Sequence, residues 1–103
     1  KRPLMGKIAL QYADNVIYTS DNPRTESPET ICAHMTEKLP TGTYQIELDR
    51  RVAIEAAIMA AGPTDLVVIA GKGHEDYQEV NGQRSYFSDV AVAQAALMFR
   101  SNT

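Results

Sequence analysis

The chain is predicted to form an α/β domain, with a mostly parallel sheet flanked by helices and a β-hairpin near its C-terminal end. Apolar residues recur at helical spacing in four segments, and short β-branched or aromatic runs alternate with them. An Asn-Gly pair separates two further runs. Such alternation favours a parallel sheet covered by helices. The 103 residues suffice for a single domain, residues 1–103, with one core.

The first predicted element is a helix over residues 3–13, and Pro3 suits its first turn. Its apolar residues form one stripe that we expect to be buried: Leu4, Met5, Ile8, Ala9 and Tyr12. A strand over residues 15–20 follows, because residues 16–19 are β-branched or aromatic. A βαβ architecture should begin with a strand, so we expect the first strand of the sheet to lie before Lys1.

A second helix is predicted from Pro28 to about Pro40, since Ser27 is a favoured N-cap and proline suits the next position. Its expected buried side consists of Ile31, Met35 and Leu39. Alternating apolar and polar residues over 43–48 then predict an edge or half-covered strand.

Asp49 is the expected N-cap of a third helix over residues 50–61, which Gly62 and Pro63 end. The expected buried face consists of Val52, Ala56, Met59 and Ala60, broadened by Ile54 and Ile58. Residues 65–70 form the most apolar run, which predicts a central strand covered on both faces.

The C-terminal part is predicted to contain a hairpin and a last helix. Runs over 77–80 and 83–87 flank Asn81-Gly82, the strongest short indication of a type I′ turn. Ser88 or Asp89 would cap the helix. Its expected buried residues are Val92, Ala95, Ala96 and Phe99.

Composition and charge narrow the class of protein. A net charge of −3 argues against a general nucleic-acid binder, which carries a basic face. No apolar run approaches the roughly 18 residues of a membrane helix. The single cysteine, Cys32, cannot form an internal disulfide, so we expect a reducing compartment and a small core residue rather than a nucleophile.

Two polar loops follow two of the predicted parallel strands. The first loop is Asp21-Asn22-Pro23-Arg24, and the second is Gly71-Lys72-Gly73-His74-Glu75. Ligands of open α/β sheets bind at the carboxyl ends of the strands. Arg24 can donate two hydrogen bonds to a carboxylate or phosphate, and Pro23 restricts Asn22 to an extended conformation. The alternative is an ordinary loop with a local turn bond and a solvated Arg24.

The second loop matches neither of two familiar motifs. A Walker A loop needs GxxxxGK before Ser or Thr, and an HExxH zinc motif would need a histidine where Gln78 stands. We therefore expect no metal site and no nucleotide cradle here. Gly71 lets the backbone approach a ligand closely. Lys72 and His74 are candidates for loop support, and the two loops together are suited to a small zwitterion.

The motifs resemble those of the Mur ligases, over nearly the whole chain. The matching stretches are 1–5, 21–26, Asp49-Arg50 with Ala53-Ile54, 70–78 and 86–89. The chain is most similar to the C-terminal, amino-acid-binding domain of the members that add meso-diaminopimelate to UDP-N-acetylmuramoyl-L-alanyl-D-glutamate. The separation of DNPR and GKGHE makes this resemblance specific.

The resemblance implies a cytoplasmic, ATP-dependent amide ligase of cell-wall peptidoglycan synthesis with a Rossmann-like C-terminal domain. ATP and Mg²⁺ would be held by another domain. We expect no catalytic residue in this fragment, and no activity or cofactor binding from the fragment alone. A further arginine that binds the amino acid in this family would also lie before Lys1.

Site residues transfer position by position from the resemblance. Asp21, Asn22, Pro23 and Arg24 correspond to the diaminopimelate recognition motif, and Gly71 and Glu75 to two further diaminopimelate contacts. Two alternatives stay open: a related ligase for another amino acid such as lysine, and a stand-alone small-molecule binding domain. Relatives that add lysine typically lack the arginine, so Arg24 argues against lysine.

Overall fold

The helices and strands follow the predicted order along the chain, except that no strand forms between the third helix and the hairpin. The computed structural model describes residues 2–21, 26–72, 75–80 and 82–101. The helices are α1 (Arg2–Tyr12), α2 (Pro28–Thr36), α3 (Arg50–Ala60) and α4 (Asp89–Ser101). The strands are β1 (Ile17–Tyr18), β2 (Gln45–Ile46), β3 (Tyr77–Val80) and β4 (Gln83–Tyr86). None of these helices is both long enough and apolar enough to cross a membrane.

The strands form one short parallel pair and one antiparallel pair, so the chain is a small mixed α/β domain. β1 pairs with β2, with Ile17 opposite Gln45, although both strands are shorter than predicted. β3 and β4 form the predicted hairpin, with Tyr77 opposite Tyr86. Gly82 has a φ of 78° at the hairpin turn, a value that glycine adopts without strain.

The predicted central strand over 65–70 is wrong. The segment forms no β-ladder with any other described segment. Val67 and Ile69 pack against the core, whereas Leu66 and Val68 are 86% and 76% exposed. The apolar run favours an extended chain, but a strand also needs a hydrogen-bonded neighbour, and covering on both faces needs a second layer.

The core lies between α3 and α4. Ile54 and Ile58 of α3 meet Val92 and Ala96 of α4, and Phe87 closes the cluster. Of the predicted buried face of α3, Ile54 and Ile58 are confirmed, and Ala53 is buried beside them without having been predicted. The predicted residues Val52, Ala56, Met59 and Ala60 are exposed, as are Ala95 and Phe99 of α4.

The stripe predicted to bury α1 is exposed as well. Leu4, Met5, Ile8 and Tyr12 are exposed, Ala9 is half-buried, and Gly6 is the buried residue. An added Cβ at Gly6 would lie 2.0 Å from the carbonyl oxygen of Met35 in α2. The Tyr18 hydroxyl also donates to the Gly6 carbonyl at 2.5 Å. α1 therefore meets α2 and β1 through its smallest residue.

The predicted helix caps are confirmed. Ser27 Oγ accepts from Thr30 N at 3.0 Å, and Pro28 follows at the first helical position. Asp49 Oδ1 accepts from Val52 N at 3.2 Å. At α4 it is Ser88 that caps, since its Oγ accepts from Ala91 N at 3.2 Å.

Candidate functional site

The structure describes part of the predicted site. Asp21 of the first loop and Gly71, Lys72 and Glu75 of the second loop are described. Asn22, Pro23, Arg24 and His74 lie outside the described residues.

The two loops meet at Asp21 and Gly71. An ideal Cβ on Gly71 would lie 3.3 Å from Asp21 Oδ2. Gly71 also has a φ of 110°, a backbone angle that residues with a Cβ rarely adopt. The positive φ favours glycine at this position, and the Cβ of any other residue would also press on the Asp21 carboxylate. The backbone of the second loop can therefore lie directly against the carboxylate that begins the first loop.

Lys72 connects the two loops by charge. Its side chain is fully buried, and Nζ donates to the Tyr77 carbonyl and lies 5.7 Å from the centroid of the Tyr77 ring. Nζ also lies 3.5 Å from Asp21 Oδ1, a buried oxygen that accepts no hydrogen bond from the described residues. The Lys72–Asp21 contact is thus an ion pair without a hydrogen bond. These contacts favour a supporting role for Lys72, which stays a prediction.

Gln78 of β3 connects the hairpin to the start of the first loop. Its Nε2 donates to Ser20 Oγ at 3.0 Å and to the Asp21 carbonyl at 2.9 Å. Glu75, the last residue of the second loop, is half-buried. Its backbone N donates to the Lys72 carbonyl at 3.2 Å, and the Tyr77 hydroxyl donates to its Oε2 at 3.5 Å.

A buried arginine lies beneath both loops. Arg50, 3% exposed, donates from Nε and Nη2 to the two carboxylate oxygens of Asp89 at 2.8 and 2.7 Å. Its Nη1 donates to the Ser20 carbonyl at 3.0 Å, and Nη2 donates to the Ala70 carbonyl at 3.1 Å. Ser20 and Ala70 are the last residues before the two loops.

Sequence reasoning missed the roles of Arg50, Asp89 and Gln78. Arg50 entered only through the resemblance, Asp89 also as a possible cap, and Gln78 also as the residue that rules out an HExxH motif. One signal was present: Arg50, Ile54 and Ile58 are spaced four residues apart, so a charged residue continues the buried stripe of α3.

A third ion pair, between Arg2 and Glu26, lies just beyond the first loop. Glu26 accepts two hydrogen bonds from Arg2, at 2.8 and 2.7 Å. These bonds lower the pKa of the Glu26 carboxyl and raise the pKa of the Arg2 side chain. Arg2 Nη1 also lies 3.1 Å from His34 Nδ1. The start of α1 is thereby joined to Glu26, the residue just before the N-cap of α2.

Cys32 is a core residue, as predicted. Its side chain is 2% exposed, and burial raises the pKa of the thiol. A thiol whose pKa is raised is a poor nucleophile.

The described residues do not fit a metal ion. No group of three or more His, Cys, Asp or Glu side chains converges anywhere in the described ranges.

A family model described as "Mur ligase, glutamate ligase domain" matches residues 1–73. The chain belongs to this family. The match contains the first loop and Gly71, and it ends before Glu75.

Individual Mur ligases match more of the chain. The UDP-N-acetylmuramoyl-L-alanyl-D-glutamate–2,6-diaminopimelate ligase of Acidovorax sp. (strain JS42) is 54% identical over 101 residues, which is 97% of this chain and 20% of that protein. The ligase of the same name from Oceanobacillus iheyensis is 48% identical over 99 residues, 94% of this chain and 20% of that protein. The chain thus spans about a fifth of the length of these relatives.

A solved Mur ligase structure has the same fold. A structure of UDP-N-acetylmuramoyl-L-alanyl-D-glutamate–2,6-diaminopimelate ligase matches with a TM-score of 0.93 and 48% identity. The match covers 100% of this chain and 22% of that one.

Proposed function

We propose that this chain is the C-terminal, amino-acid-binding domain of a ligase that adds meso-diaminopimelate to UDP-N-acetylmuramoyl-L-alanyl-D-glutamate. The ligase would act in peptidoglycan synthesis in the cytoplasm. The observation that carries the proposal is a match over nearly all of this chain, at about half identity, to relatives with this named activity. The proposed fold is Rossmann-like, and the parallel β1–β2 pair between helices supports it.

The chemistry would be divided between this chain and the rest of the protein. ATP, with Mg²⁺, would activate the side-chain carboxylate of glutamate as an acyl phosphate at another domain, and an amine of diaminopimelate would displace phosphate. This chain would hold the amino acid in the correct orientation. Orientation alone can supply a large part of the rate of such a bimolecular step.

The two loops would divide the recognition of the far end of diaminopimelate. Arg24 would bind the distal carboxylate with two hydrogen bonds, and Glu75 would bind the distal ammonium. Gly71 would offer a backbone group, with Asp21, Asn22 and Pro23 shaping the first loop. The approach of Gly71 to Asp21 supports this division because it joins the two loops at one point.

Lysine has the distal ammonium but lacks the distal carboxylate. A lysine bound at this site would leave the Arg24 guanidinium without its anion, and polar sites reject analogues in this way. A hydrogen bond to a charged group contributes roughly 1.5–3 kcal/mol. Arg24 alone should therefore give at least about tenfold discrimination.

The test is Arg24→Ala in the full-length enzyme. We expect the ratio of kcat/KM for diaminopimelate to kcat/KM for lysine to fall at least about tenfold, since the variant loses a charged hydrogen bond that only diaminopimelate makes. Arg51→Ala is the matched control, because Arg51 is exposed on α3. An unchanged ratio in Arg24→Ala would reject the proposed recognition.

A further inference from the structure

We propose that Arg50 is a positioning residue that sets the distance between the two loops, so that both can contact one amino-acid substrate. This inference rests on the proposed function. We call the four residues involved the Arg50 clamp: Arg50, Asp89, Ser20 and Ala70. Neither Arg50 nor Asp89 would touch the substrate.

Among the described residues, no backbone hydrogen bond joins the two segments that lead into the loops. β1 pairs only with β2 among the described residues, and the 65–70 segment forms no ladder there. The carbonyls of Ser20 and Ala70 therefore take their relative position from a side chain. A guanidinium is planar and rigid, so two carbonyls bound to one guanidinium have a defined separation.

Asp89 holds the guanidinium itself. Its two carboxylate oxygens accept from Nε and Nη2, and this two-point contact determines the plane of the guanidinium. The pair is buried, so the carboxylate also balances a charge that would otherwise be costly in the interior. Asp89 is the first residue of α4 and Arg50 the first of α3, so the clamp takes its orientation from the two helices that form the core.

Lysine cannot replace arginine in this arrangement. Its three donors radiate from one nitrogen, whereas the clamp uses three separate nitrogens to reach three partners. Arg50→Lys should keep the charge pair with Asp89 and lose at least one carbonyl contact. The loops would then separate while the core persists.

The first experiment compares Arg50→Lys with Arg51→Lys, its exposed neighbour, in the full-length enzyme. We expect Arg50→Lys to raise the KM for diaminopimelate roughly tenfold or more, since a misplacement of about 1 Å can cost about a hundredfold. The KM for ATP should not change, and Arg51→Lys should behave as wild type. A lower Tm with an unchanged KM for diaminopimelate would show a purely structural role and overturn the proposal.

A second variant provides the test if Arg50→Lys does not fold. Arg50→Met/Asp89→Leu replaces the buried pair with apolar residues of similar volume, a change that proteins often tolerate. We expect this variant to fold with a Tm near that of wild type and to show the same rise in KM. A folded double variant with wild-type KM would overturn the proposal.

Amide hydrogen exchange separates this proposal from the proposed function. In Arg50→Lys, residues 20–26 and 70–76 should exchange faster, while α3 and α4 should exchange as in wild type. Unchanged exchange in both loops would overturn the clamp, whichever amino acid the enzyme ligates. If the wild-type enzyme ligates lysine with the same kcat/KM as diaminopimelate, the proposed function is wrong. The exchange result would still decide the role of Arg50.

Discussion

Single residues bring the loops together, and among them Gly71 should tolerate substitution least. Its φ of 110° and its contact with Asp21 are separate constraints. Gly42 isolates the first of them, because its φ is 90° but no atom lies within 4 Å of an added Cβ. The pair thus allows the backbone strain to be separated from the contact between loops.

We expect Gly71→Ala and Gly42→Ala each to lower the free energy of unfolding by about 1–3 kcal/mol, the usual cost of a non-glycine residue at positive φ. Only Gly71→Ala should also raise the KM for diaminopimelate, because its Cβ displaces Asp21. Urea denaturation and steady-state kinetics on both variants measure the two effects. Equal changes in KM for the two variants would contradict the role of the Asp21 contact.

Among the elements, α1 depends on one close approach. Gly6 lies against the Met35 carbonyl of α2, and its own carbonyl accepts from the Tyr18 hydroxyl of β1. A side chain at position 6 would push α1 away from both neighbours. The contact therefore decides whether α1 stays packed on the domain.

Gly6→Ala should lower the free energy of unfolding by roughly 1–3 kcal/mol through overpacking. The sign of this change in stability is informative. Alanine is more favourable than glycine in a helix by about 1 kcal/mol, so the substitution would otherwise stabilise α1. Lys7→Ala, at the exposed neighbouring position, should change stability by less than about 0.5 kcal/mol. A Gly6→Ala variant as stable as wild type would contradict the close packing of α1 on α2.

Apart from the strand over 65–70, the order of elements could be predicted because its signals are local. Ser27 and Asp49 cap helices through bonds to residues three positions away, and the hairpin follows an Asn-Gly pair. The buried faces could not be predicted in the same way, because burial depends on what each helix meets. α1 meets its neighbours at a glycine, and the stripe of α3 begins with an arginine.

The same limit applies to the candidate site. The loops could be located because each follows an apolar run, but Arg50 and Asp89 are 39 residues apart and look like ordinary helix-start residues. Their pairing follows only from the packing of α3 on α4. The position of the loops could therefore be predicted from the sequence, and the Arg50–Asp89 support beneath them could not.

For the whole molecule, stability should depend on the core between α3 and α4, and two adjacent residues test this. Ile58 is buried in that core, while Met59, which the sequence placed on the buried face, is 44% exposed. We expect Ile58→Ala to lower the free energy of unfolding by about 2–5 kcal/mol, through lost apolar contact and a cavity. Met59→Ala should cost less than about 1 kcal/mol, because solvent replaces the lost side chain. Urea denaturation of both variants measures the difference, and a larger loss at Met59 would mean that α3 turns its other face to the core.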